Sequence, residues 1–178
     1  KTKMNKAVFL DRDGVLIKTN IINGKPYAIR SINEFELIED VQKQLNILKG
    51  LGYILIVVTN QPDIKRGKLT KYSLKIINSI IKKYFLVDEI YVCMHDKVDK
   101  CNCRKPKPGM LKKAMKKLNI DLKKSFLVGD RNKDVEAGNS VGCTTIFIDY
   151  NYDDLKPKNY DYKFTSISKM INVIGKII

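Results

Sequence analysis

Residues Tyr53–Val58 read YILIVV, six apolar side chains in a row and most of them β-branched. A strand with one wet face alternates apolar and polar residues. An unbroken run needs cover on both faces, which is the situation of a parallel sheet between helical layers. The flanks agree with that demand. Val41–Leu51 carries Val41, Leu45 and Leu48 at helical spacing and stops at Gly52, and Thr70–Phe85 carries Leu74, Ile77 and Ile81 on one stripe. The alternation continues along the chain. Ala7–Leu10, Glu89–Val92, Phe126–Val128 and Thr145–Ile148 predict strands. Pro108–Leu118, opened by a proline suited to a first helical turn, and a stretch from about Asn132 predict helices. Tyr162–Phe164 adds an edge strand and Ser166–Ile178 a final helix, while Lys18–Asn33 and Met94–Pro108 read as irregular. The expectation is an α/β chain: a Rossmann-like, doubly wound, mostly parallel sheet without a large cap, forming a single domain over residues 1–178. In such folds the loops after the strands' carboxyl ends carry the chemistry.

The longest apolar stretch, Leu51–Val58, is too short to span a bilayer and contains Gly52. The basic residues before Asp11 are followed by too short an apolar run for a signal-peptide core, so a soluble, cytoplasmic protein is expected, with no membrane partner. The net charge of +15 raises nucleic acid or an anionic substrate as partners. Only five of the 34 basic residues are Arg, the better residue for forked phosphate or guanine recognition, and no aromatic stacking run accompanies them. The excess of Lys, in a chain rich in Ile and Asn, reads as a solvated surface rather than a nucleic-acid footprint.

Every candidate motif falls on a loop after a predicted strand. The first apolar run leads into Asp11-Arg12-Asp13-Gly14-Val15. Alone this is an ordinary turn. At a strand end, paired carboxylates can also hold Mg²⁺, attack phosphorus and protonate a leaving oxygen. Strand Ile54–Val58 ends in Thr59-Asn60-Gln61, where a hydroxyl and nearby amides can grip phosphate. Arg104-Lys105-Pro106-Lys107-Pro108-Gly109-Met110 places cations at the entrance of a helix, itself favourable for anions. Phe126–Val128 leads into Gly129-Asp130, with Asp134 four residues on, so that two carboxylates can face one cation unless they merely cap the helix.

Taken in order over roughly residues 7–150, these segments resemble the four motifs of the haloacid dehalogenase (HAD) superfamily of phosphatases. The resemblance implies that Asp11 is the nucleophile forming an aspartyl-phosphate and that Asp13 is the general acid and base. It implies Mg²⁺ held by Asp11, the main-chain carbonyl of Asp13, and Asp130, with Asp134 in the outer shell. It places Thr59, Asn60 and Lys105 at the phosphoryl group and Arg104 against the substrate.

Between the second and third of these segments lie Cys93, His95, Cys101 and Cys103: three of the four cysteines and the single histidine within eleven residues. That donor set matches a closed, tetrahedral, structural Zn²⁺ site, and the polar Asp96–Lys100 between them has no core of its own to fold on. Reduced surface thiols are the bland alternative. Cys143 lies apart and reads as a small buried hydrophobe. The loop, with RKPKPGM after it, resembles the HAD subfamily of heptose-bisphosphate and histidinol-phosphate phosphatases. That resemblance implies an enzyme acting on a small phosphorylated sugar, removing the C7 phosphate of D-glycero-D-manno-heptose 1,7-bisphosphate, and a monomer is expected. Histidinol phosphate is the alternative substrate. A polynucleotide 3′-phosphatase and a non-catalytic zinc-stabilised binding module are more remote alternatives. NQPDIKRG stands where the subfamily commonly has NQSGIxRG, so Pro62 and Asp63 change backbone freedom and charge beside the site.

Overall fold

The structure, a computed structural model, describes residues 3–174. Strands β1 (Lys6–Leu10), β2 (Asn20–Ile22) and β3 (Lys25–Tyr27) come first, followed by helix α1 (Val41–Gly50) and strand β4 (Tyr53–Asn60). Helix α2 (Lys71–Phe85), strand β5 (Glu89–Cys93), helix α3 (Gly109–Leu118) and strand β6 (Phe126–Gly129) follow. Helix α4 (Asn132–Asn139), strands β7 (Thr144–Ile148) and β8 (Tyr162–Phe164) and helix α5 (Ile171–Ile174) complete the described chain.

Six strands form one parallel sheet in the order β5-β4-β1-β6-β7-β8. The chain winds outward from β1 through β4 to β5, then returns to β1's other side and winds out through β6 and β7 to β8. The order reverses between β1 and β6, so the carboxyl ends of those strands open a crevice there. Strand side chains alternate between two cores, as a period of two requires. Val8, Leu10, Leu55, Val57, Val128 and Ile146 pack with Leu45, Leu48, Ile77 and Ile81 of α1 and α2. Ala7, Phe9, Ile56, Val58 and Leu127 pack with Met110, Leu111 and Ala114 of α3 and Ala137 of α4. Thr70 caps α2, its hydroxyl accepting from the Ser73 amide.

Two sequence expectations need correction. Lys18–Asn33 is not wholly irregular: β2 and β3 pair antiparallel as a hairpin turned at Asn23-Gly24, both with positive φ, 50° and 74°. The Asn-Gly dipeptide is the short-range signal for that turn. The final helix is a 3₁₀ turn at Ile167–Lys169 followed by α5, and the rest of its predicted span, to Ile178, lies outside the described residues. Among the described residues, no helix is long and apolar enough to cross a membrane.

Candidate active site

Leu10 lies level with Val57 and Val128 in the sheet, so the residues that follow β1, β4 and β6 emerge side by side at the crevice. Asp11 and Asp13 leave β1, Thr59 and Asn60 end β4, and Asp130 follows β6. Two glycines make the approach possible. A Cβ on Gly14, whose φ is +91°, would run into the Asp130 carboxylate, and one on Gly129 into the side chain of Asp134.

Lys105 reaches in from the loop before α3. Its Nζ donates to Asp11 Oδ1 at 2.8 Å and to the Val58 carbonyl at 2.7 Å, and lies 2.7 Å from Asp134 Oδ1. Burial disfavours the ammonium, but Asp11 and Asp134 outweigh it and hold Lys105 above the ordinary lysine range. Burial likewise works against the Asp11 carboxylate, and Lys105 and Lys133 bring it below its usual value. Asp130 goes the other way: burial and then the charges of Asp11 and Asp134 push it well up. Both Asp130 oxygens are buried with no hydrogen-bond partner among the described residues. Asp11, Asp130 and Asp134 offer carboxylate oxygens within 4.8 Å of one another. Three crowded carboxylates, only two of them paired with Lys105 and one wholly without a hydrogen bond, fit a hard divalent cation with oxygen ligands.

The Asp13 carboxylate turns away from this cluster. It accepts from Arg12 Nε and Nη2 (2.9 and 3.2 Å), from Gln61 Nε2 (2.9 Å) and from the Ile29 amide (3.2 Å). Its side chain lines the cavity beside Asp11 without joining the possible cation ligands, so any ligation by Asp13 falls to its main-chain carbonyl. Thr59 is buried, its Oγ1 accepting from Gln61 Nε2 at 2.8 Å. Both ends of the Asn60 amide clasp the Lys105 backbone, Nδ2 to the carbonyl and Oδ1 from the N–H, each at 3.0 Å. Asn60 thus acts on Lys105 as well as lining the cavity.

The carboxylates open into a basic cleft of about 290 Å³, whose lining includes Lys25, Asp63, Arg66, Arg104, Arg131 and Lys133. Sequence reading singled out Arg104 alone among those cations. It missed Arg12 and Gln61, which hold Asp13; Arg131, which ties the Pro26 carbonyl to Asp154; and Lys133, beside the carboxylates. A signal existed. In a chain so rich in Lys, all five arginines lie in or around this crevice: Arg12 under Asp13, Arg30 on Asp63, and Arg66, Arg104 and Arg131 in the cleft.

Beside the cleft, Cys93, His95, Cys101 and Cys103 converge. Cys103 Sγ lies 3.2 Å from Cys93 Sγ, 3.5 Å from Cys101 Sγ and 3.2 Å from His95 Nδ1. Cys93 Sγ lies 3.7 Å from both Cys101 Sγ and His95 Nδ1. A zinc tetrahedron with Zn–S bonds of about 2.3 Å has edges of roughly 3.8 Å, so the four donors can hold such an ion. Burial pushes the Cys93 thiol up to about 12. Arg104 Nη1 donates to the His95 carbonyl at 3.2 Å, joining this loop to the cleft.

Comparison with known proteins gives this arrangement a family. A family model described as HAD-hydrolase-like matches residues 102–165. The D-glycero-beta-D-manno-heptose-1,7-bisphosphate 7-phosphatase of Haemophilus ducreyi is 41% identical over 152 residues, 79% of this chain and 80% of the relative. The chain belongs to the HAD phosphatases. The D-glycero-alpha-D-manno-heptose-1,7-bisphosphate 7-phosphatase of Campylobacter jejuni is 33% identical over 175 residues, 94% of each chain. The crystal structure of a D,D-heptose 1,7-bisphosphate phosphatase from B. bronchiseptica, complexed with magnesium and phosphate, superposes with a TM-score of 0.82 at 22% identity, over 97% of this chain and 99% of that one. This last likeness speaks for the HAD fold. As a HAD phosphatase the chain is a hydrolase acting on phosphate esters.

Proposed function

We propose that this HAD phosphatase removes the C7 phosphate of D-glycero-D-manno-heptose 1,7-bisphosphate, on the route to nucleotide-activated heptose. The observation that carries the reading is the juxtaposition of two anion sites. One is the crevice at Asp11 and Lys105, suited to a phosphoryl group under attack. The other is the cleft lined by Arg66, Arg104, Arg131 and Lys133, suited to a second anion beyond it. The names of the relatives support the sugar.

In this reading Asp11 attacks phosphorus, and the bond from phosphorus to the sugar oxygen breaks as Asp13 protonates that oxygen. Asp13 then takes a proton from the water that attacks the aspartyl-phosphate, releasing inorganic phosphate and restoring Asp11. Lys105 and Thr59 stabilise the equatorial oxygens, and Asn60 fixes Lys105 through its backbone. Asp11, Asp130 and the Asp13 carbonyl would hold Mg²⁺, with Asp134 outside them; the ion offsets charge between nucleophile and phosphate when bound. Cys93, His95, Cys101 and Cys103 would hold structural Zn²⁺, and such thiols stay reduced in the cytoplasm, where we place the enzyme. One chain supplies every group named, so the reaction needs no residue from a second copy.

The test is phosphate release from both anomers of the heptose bisphosphate, from histidinol phosphate and from a 3′-phosphorylated oligonucleotide. A heptose bisphosphate anomer should be hydrolysed with the highest kcat/KM. Preference for histidinol phosphate or the oligonucleotide would overturn the substrate and leave the phosphatase chemistry standing.

A further inference from the structure

The loop after β4 touches Asp13 through one residue. Gln61, its first residue, donates directly to Asp13 Oδ2 at 2.9 Å. Asp63, two residues on, has no hydrogen bond to Asp13. It is only 5% exposed, and its carboxylate accepts from Arg30 Nε at 2.6 Å and from Arg66 Nη1 at 3.3 Å. Arg30 follows Ile29, whose amide donates to Asp13 Oδ1 at 3.2 Å. On its other side Arg66 forks onto Asp96 of the Cys/His loop, Nε and Nη2 at 2.6 and 2.8 Å, while Lys65 lies 3.3 Å from Asp99 of that loop. The Asp63 carbonyl is fixed as well, accepting from the Lys68 and Leu69 amides at 2.8 and 3.1 Å. A ladder of ion pairs therefore runs from the Cys/His loop through Arg66, Asp63 and Arg30 to the amide that holds one oxygen of Asp13.

We propose that Asp63 is a positioning residue: by fixing Arg30 it anchors the Ile29 amide, and with it the aim of the Asp13 carboxyl. The inference rests on the reading of Asp13 as the general acid. Asp63 touches no reacting atom, so its loss acts on the one step in which an acid is needed, expulsion of the leaving oxygen. A leaving group that departs readily as an anion needs little protonation, whereas a poor one needs it fully.

The experiment compares aryl phosphates of graded leaving-group acidity, from p-nitrophenyl to unsubstituted phenyl phosphate. The phosphorylation step is read as the pre-steady-state release of phenol. Wild type is set against Asp63→Asn, Arg30→Gln and Asp13→Asn, each with its melting temperature. Asp13→Asn should steepen the leaving-group dependence most. Asp63→Asn and Arg30→Gln should steepen it too, losing about tenfold on phenyl phosphate and less than about twofold on p-nitrophenyl phosphate, a fraction of the 10²–10⁴-fold that a positioned acid supplies. If Asp13→Asn steepens the dependence and neither other variant does, the proposal fails and the acid stands. If Asp13→Asn leaves the slope unchanged, the reading of Asp13 fails and takes the proposal with it. Should Asp63→Asn not fold, Arg30→Gln breaks the same link from the half-exposed side and decides by the same slope.

Discussion

Lys105 shows at residue scale how the site can be both buried and charged. A lone ammonium in this crevice would be costly, but two carboxylates and a carbonyl surround it, and Asn60 fixes its backbone. Asp11→Asn should therefore fold, because Lys105 keeps Asp134, yet lose more than about 1,000-fold in kcat, or about 4 kcal/mol of barrier. Steady-state kinetics and a melting curve check both parts. Asp130 is the opposite case, an unpaired buried carboxylate beside two others. In EDTA, Asp130→Asn should melt about 2–4 °C above wild type, since removing ~1 kcal/mol of repulsion shifts a chain of this size by that much. Added Mg²⁺ should raise the melting temperature of wild type and not of the variant. An Asp130→Asn protein that melts lower in EDTA would mean that the carboxylates do not repel. Arg104→Ala should cost about 2–4 kcal/mol in kcat/KM for the bisphosphate and little for p-nitrophenyl phosphate, which lacks a remote anion. Equal losses would put Arg104 at the reacting phosphate. The positions of Asp11, Asp130 and Asp134 were legible because each follows a strand at a set spacing, and that of Lys105 because its basic run stands at the entrance of a helix. The direction of Asp13 and the clasp of Asn60 on Lys105 were not, because they depend on which strands neighbour each other.

At the scale of elements, legibility followed burial. Strands covered on both faces announce themselves as unbroken apolar runs, and β1, β4 and β6 could be read almost to their ends. The hairpin β2–β3 could not. It lies outside the main sheet and Ile21 and Ile22 are half exposed, so no core patterns its strands and only the Asn23-Gly24 turn marked it. Between its cysteines the Cys/His loop has no buried residue. Val98 is 81% exposed, and the loop's order comes from one capped 3₁₀ turn, the ion pairs to Arg66 and Lys65, hydrogen bonds from Arg104 and Lys107 to its carbonyls, and the four-donor cluster. If the cluster holds zinc, the ion supplies most of that order. Protein purified without added metal should contain one zinc per chain, and stripping it should lower the melting temperature by about 4–8 °C, the equivalent of ~2 kcal/mol. Cys101→Ser should lose the zinc as well. A stripped protein that melts like the untreated one would show that the ion pairs and hydrogen bonds hold the loop without the metal.

Across the whole molecule, the two kinds of cation divide the work. Arginines gather at the crevice, while lysines such as Lys65, Lys117 and Lys124 stand more than half exposed at the surface. The lysine excess has a consequence in acid. Protonating the 19 carboxylates removes negative charge and leaves every cation, so the net charge climbs from +15 toward the full 34 of Lys and Arg, and the folded chain repels itself. Asp149, at the end of β7, adds a specific contribution. Burial would raise its carboxyl, but Lys163 at 2.9 Å, the Asn151 amide at 2.8 Å and Lys156 at 3.0 Å outweigh it and hold it at about 2, against an ordinary 3.8. A folded-state value below the unfolded one contributes stability in full above about pH 4, and that contribution is lost as pH falls through 2. The melting temperature should therefore drop between pH 4 and pH 2. Salt should recover the general part, since screening shortens from about 8 Å at 0.15 M to about 3 Å at 1 M. In 1 M NaCl the remaining slope should be shallower in Asp149→Asn, which should also melt below wild type at pH 7. An identical slope in the variant would mean that Asp149 gains nothing from its three partners.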